Sequence, residues 1–90
     1  MKLEFKHKVF NDGLNLTVRR GMKWSVLKPD NVDVFLTKVM RFCDLKDYDL
    51  YYEHDVKCRT YEGLLDTMRN TYEWFLEKEI VTLVYFREQK

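Results

Sequence analysis

Glycine and proline are scarce in this chain, with three of the first and one of the second in 90 residues. That excludes collagen-like and Gly/Pro-rich low-complexity architectures, and a 46% apolar composition excludes a disordered chain. Cysteine is nearly as rare. Cys43 and Cys58 are too few for the disulfide framework of a small secreted domain, so both are expected as free thiols in a reducing compartment. No apolar run approaches the ~20 residues a membrane span needs. The start, "MKLEFKHKVF", alternates charge with apolar residues and lacks the apolar centre of a secretory signal. A soluble, cytoplasmic protein without membrane association is therefore expected. Residues 1–90 are too short for two cores and read as a single domain.

Aromatics are abundant: six Phe, six Tyr and two Trp. Each ring buries a large area for few degrees of freedom lost, which suits a small core. Net charge is only +1, but it is unevenly spread. Residues 1–28 carry seven Lys or Arg against Glu4 and Asp12, a net of +5; residues 29–90 carry nine against thirteen acids, a net of −4. This asymmetry points to an anionic partner on one side of the molecule. Lysines guarding a sheet edge against aggregation explain Lys2, Lys6 and Lys8 equally well. His54 and Cys58, four apart, would share a helix face as zinc ligands do, but a fourth ligand is not evident, so no metal and no cofactor are expected.

Along the chain, "KLEFKHKVF" reads as a strand with Leu3, Phe5 and Val9 on one face, and "NDG" at 11–13 as the turn of a hairpin. "LNLTVRR" is the second strand; Leu14, Leu16 and Val18 point one way and Asn15, Thr17 and Arg19 the other. "MKWSVLK" is a short crossing segment or a single helical turn, and "KPDN" a turn. "VDVFLTKVMRF" alternates as a long strand, with a bend or bulge expected near Lys38. "DLKDYDLYYEHD" reads as a short acidic helix capped by Asp44 with Asp47 at N3, placing Tyr48 and Tyr52 on one packed face and Tyr51 in solvent. "TYEGLLDTMRNTYEWF" reads as a helix capped by Thr60, with Leu64, Leu65, Met68 and Tyr72 as its apolar stripe and Gly63 a small cost in its first turn. Met40, Met68 and Trp74 read as core. "IVTLVYF", apolar on both faces, should be a central covered strand. The order strand, strand, strand, two helices, strand argues an α+β fold with a strongly curved or barrel-like sheet.

Several stretches taken together resemble a known family. "TVRRG" followed by a Trp, a Pro-Asp turn into "VDVF", then "VMRFCDLKDYDL", "TYEGLLDTMRNTY" and "EIVTLVYFR" resemble, in order and spacing, the ASCH domain (activating signal cointegrator homology domain) of the PUA-like superfamily. The likeness spans roughly residues 11–88. It implies a small β-barrel flanked by two helices, with a cleft beside the Thr-x-Arg strand where members bind RNA or modified nucleosides. Some small members hydrolyse the amide of N4-acetylcytidine. By that likeness Thr17 and Arg19 would line the cleft, with Arg20, Lys23 and Trp24 at its mouth. The hydrolases carry a lysine three residues before the threonine, where this chain has Leu14, and a glutamate in the acidic helical region, for which Glu53 and Asp55 are the nearby candidates. Without a lysine of adjustable pKa next to Thr17, no activated nucleophile or general base is evident, so catalysis is not expected.

The residues carry their own reading. Arg19 is either salt-bridged to an acid such as Asp47 or Glu53 or free to hold a phosphate or stack on a base. Thr17 offers one donor and two acceptors from a stiff side chain. Trp24 is either core or, beside Arg20 and Lys23, a stacking platform. The expected ligand-binding set is Asn15, Thr17, Arg19, Arg20, Lys23 and Trp24, with RNA or a modified nucleoside as partner. An amidohydrolase acting on acylated nucleosides is the second reading. The third is a phage or small bacterial accessory protein docking on a protein through its acidic helical half.

Overall fold

The computed structural model describes residues 1–89. β1 (Asn15–Arg20), a single helical turn α1 (Lys23–Val26) and β2 (Val32–Arg41) precede three short 3-10 turns, Phe42–Asp44, Asp47–Leu50 and Val56–Arg59. Helix α2 (Tyr61–Thr71) and β3 (Ile80–Glu88) complete the fold. The result is α+β. β3 is central between antiparallel neighbours in the order β1-β3-β2, forming an open three-stranded sheet. No helix is long and apolar enough to cross a membrane among the described residues.

The sheet has two covered faces, and alternation along β1 assigns them. Leu16 and Val18, with Val81 and Leu83 of β3, pack against Leu64, Leu65 and Met68 of α2 and against Phe42 and Phe75. This is the stripe that the 3.6-residue period predicts. Thr60 caps the helix by accepting from the Gly63 amide at 3.1 Å. On the other face Val84, Phe86 and Val32 pack on Leu3, with Phe5, Phe10 and Trp24 partly buried against them. β3 is buried by both layers, as its unbroken apolar run requires.

The structure corrects several expectations. Residues 1–14 cover the second face without forming a strand or hairpin. Leu3 and Phe5 do turn inward, but side chains take the backbone groups a ladder would use. The Asn31 amide bonds both N–H and C=O of Leu3 at 2.9 Å, and Asn15 Oδ1 accepts from the Asn11 amide at 2.7 Å. Such local side-chain bonds compete directly with strand pairing. The acidic stretch is a series of 3-10 turns, because its short carboxylates bind nearby amides. Asp49 accepts from Lys46 N, Asp55 from Lys57 N, and Asp47 from the N–H of Tyr61 at 2.8 Å. Asp44 caps nothing; it lies inside the first 3-10 turn. Tyr48, Tyr51 and Tyr52 are all exposed. The bulge in β2 falls between Val34 and Leu36, earlier than Lys38, and reverses the facing of everything beyond it. Trp74 is not core: it is 85% exposed at φ 56, on a reversal after α2 that buries Phe75 instead. Gly63 is required by close approach, since a Cβ there would lie 1.9 Å from the Lys57 carbonyl oxygen.

Candidate functional site

β1 lies at one edge of the sheet, and what happens along that edge creates the site. Residues 15, 17, 19 and 21 turn their main-chain groups towards β3, as the Gly21 amide bonded to the Ile80 carbonyl at 2.8 Å marks. Residues 16 and 18 therefore face outward. Leu16 finds a partner there: its N–H donates to the Tyr52 carbonyl at 2.7 Å and its C=O accepts from the His54 amide at 3.1 Å. These bonds make a single parallel bridge to Glu53. The chain then bends away at His54 into the Val56–Arg59 turn, so the ladder stops after one rung.

Beyond the rung lies a cavity of about 300 Å³. Phe5, Lys6 and His7 line it from the N-terminal segment, Thr17, Val18 and Arg19 from β1, Glu53, His54 and Cys58 from the bent segment, and Leu64, Thr67 and Tyr72 from α2. Its size lies at the lower end of the ~300–1,000 Å³ typical of small-molecule pockets. Its walls mix aromatic carbon with a few convergent polar groups.

Arg19 donates through Nε to the Thr17 hydroxyl at 3.1 Å, and its guanidinium carbon sits 4.9 Å from the centre of the Phe5 ring. Since Thr17 Oγ1 accepts that bond, its own hydroxyl proton is free to donate. Among the described residues no carboxylate lies within 4 Å of the guanidinium, so neither Asp47 nor Glu53 locks it. Burial pulls this guanidinium below its ordinary value, with Tyr72, Glu53 and Glu4 opposing through their charges; arginine remains a cation in any case.

Glu53 is 2% exposed. Its Oε1 accepts from the Asp55 amide at 3.3 Å and faces His54 Nδ1 at 2.7 Å. His54 Nδ1 also lies 3.1 Å from the Leu16 carbonyl, which can only accept, so the proton belongs on Nδ1. Oε2 makes no hydrogen bond among the described residues, yet no buried side-chain oxygen there is sealed off without a partner, so Oε2 opens to the cavity. Burial pushes Glu53 up. Burial pulls His54 down, but the Glu53 hydrogen bond and charge outweigh it, and the imidazole ends above its ordinary 6.5. A neutral Glu53 would remove the charge that raises His54, so the two shifts oppose one another; the shared N–H geometry supports the rise of His54 beside an ionised carboxylate. Burial pushes the Cys58 thiol up to about 11, with its sulfur 3.3 Å from the Thr67 hydroxyl, which makes it a poor nucleophile at neutral pH.

Of the six residues singled out in the sequence, two come together here: Thr17 and Arg19. Asn15 is fully buried and its amide bonds the Asn11 and Gly13 carbonyls. Arg20 points to the other face of β1, where Nε donates to Glu79 at 2.6 Å and Nη1 to the Glu73 carbonyl at 3.1 Å. Lys23 lies over the Trp24 ring at 5.0 Å, and Trp24 packs half-buried on the second-face cluster; neither lines the cavity. Leu14 does not line it either. Phe5, His7, His54 and Tyr72 are additions that spacing alone did not indicate. Among the described residues no group of three or more His, Cys, Asp or Glu is arranged to hold a metal ion, and His54 is committed to Glu53 rather than to Cys58. Comparison with protein-family models, curated proteins and solved structures finds no match for this chain.

Proposed function

We propose that the cavity beside β1 binds a nucleoside or an unpaired base of RNA without catalysing a reaction on it, and that the chain is an ASCH-like, PUA-like domain whose open sheet corresponds to that family's barrel. One observation carries the reading: Thr17 and Arg19 open together onto a hollow of nucleoside size, and the guanidinium has no carboxylate partner among the described residues. An arginine backed by Phe5 presents a planar cation suited to stacking on a base or forking a phosphate. Lys6 and His7 on the rim extend the positive charge outward. Arg20 is spent on Glu79, so phosphate contact falls to the rim residues. The test is titration of single-stranded RNA into the protein over a series of salt concentrations. The expected result is saturable binding that weakens as salt rises, with a log-log slope near the number of phosphates contacted. Binding no tighter than that of a matched polyanion overturns the reading.

A second reading is favoured by one feature. Thr17, Glu53 and His54 line the same cavity, so a hydroxyl and a carboxylate-imidazole pair lie where an acylated nucleoside would sit. Leu14 stands where the hydrolases keep their lysine, and Lys6 is the one ammonium on the described wall. Incubation with N4-acetylcytidine, followed by chromatography for cytidine, decides between the readings: turnover establishes the hydrolase, and its absence at high protein concentration leaves the binding module.

A further inference from the structure

The abrupt end of the parallel ladder leaves something behind. Val18 is the next residue of β1 to face outward after Leu16, and a continued ladder would have given its N–H the His54 carbonyl and its C=O the Val56 amide. Neither bond forms, and no other partner for the Val18 main chain occurs among the described residues. A main-chain donor and acceptor in a nearly buried residue ordinarily find partners, and these belong to a residue that lines the cavity. A single free rung is too short to recruit a peptide strand, and Phe5 and Tyr72 line the same cavity.

We infer that the main chain of Val18 is the element that reads the ligand. Its N–H and C=O pair with a heterocycle edge that sets one donor beside one acceptor, the Watson–Crick edge of an unpaired nucleobase. This inference rests on the nucleoside reading above and sharpens it. A base already paired in a duplex has that edge occupied, so the ligand is a free nucleoside or a base in a single strand. Glu53 Oε2 and the Thr17 hydroxyl flank the pair with an acceptor and a donor, and Arg19 supplies the plane on which the ring lies.

The test uses the ¹⁵N-labelled full chain and two matched pairs of probes: uridine with 3-methyluridine, and adenosine with N6,N6-dimethyladenosine. Each methylated member lacks the edge donor of its parent. Whichever parent binds should shift the Val18 amide resonance downfield, and its methylated counterpart should bind about tenfold weaker or worse. Val18→Pro removes the outward N–H at an edge-strand position, but its ring must also fit the core that Val18 fills. A variant that melts as the unmodified protein does should bind the parent nucleoside weaker by a similar factor, and the methylated probes decide independently of it. Parents and methylated forms binding alike, or a Val18 amide that stays still while Thr17 and Arg19 signals move, would overturn the inference but spare the nucleoside reading. No binding by either parent would overturn both.

Discussion

The two faces of the sheet are covered by different kinds of chain. On one, α2 supplies a capped helix with an apolar stripe, and the arginine beside it is held: Arg20 donates to Glu79 and to the Glu73 carbonyl. On the other, an N-terminal segment with no regular structure is fastened by asparagine side chains, and the neighbouring arginine, Arg19, rests on Phe5 with no carboxylate within 4 Å of its guanidinium among the described residues. Adjacent arginines on one strand thus serve opposite ends. Arg20 belongs to the packing, whereas Arg19 sits in a cavity with polar capacity to spare. The regular face confers stability, and the irregular face leaves room.

If that contrast holds, the largest stability effects should come from the helical side. Gly63→Ala drives a methyl into the Lys57 carbonyl at the junction of the last 3-10 turn and α2. The expected loss is about 2–3 kcal/mol by denaturant unfolding; a loss below the ordinary few tenths would mean that the turn yields freely. Arg20→Ala removes a partly exposed ion pair and a carbonyl contact, and should lower the melting temperature by less than Gly63→Ala does. Its nucleoside affinity should remain that of the parent, and weakened binding would break the division between the faces.

A smaller effect tests the cavity itself. His54 binds its proton more tightly folded than unfolded, so the stability it contributes is complete below pH 6.5 and is lost as pH rises through its higher folded value. Melting temperature should therefore fall above pH 6.5 in the parent and stay flatter in His54→Gln. A decline that already begins near pH 4.5 would place the titration on Glu53 instead.

Period and caps made much of this fold legible. Alternation located β1 and β2, an unbroken apolar run located β3, and the stripe beginning at Leu64 with a threonine cap located α2. Alternation could not separate a strand from an irregular covering segment, because Leu3 and Phe5 turn inward in both cases; what decides is capture of the Leu3 backbone by Asn31, 28 residues away. The acidic stretch has no apolar period, so a helix there rests on Asp44 and Asp47 alone; Asp44 caps nothing, and Asp47 binds the Tyr61 amide 14 residues on. For the site, the two-residue period placed Thr17 and Arg19 on one face and Arg20 on the other. It could not say which arginine would meet an acid, because Glu79 lies 59 residues from Arg20. Glu53 and His54 reach the cavity through a bridge to Leu16 that leaves no local signal; the likeness to hydrolases named Glu53 only as a nearby candidate.

The most direct measurement is calorimetric titration of one single-stranded RNA into the parent protein, Arg19→Ala and Arg20→Ala, side by side at fixed salt. The account predicts that Arg19→Ala loses about tenfold or more in affinity at unchanged melting temperature, while Arg20→Ala melts earlier and binds as the parent does. Equal affinities for the parent and Arg19→Ala would contradict it.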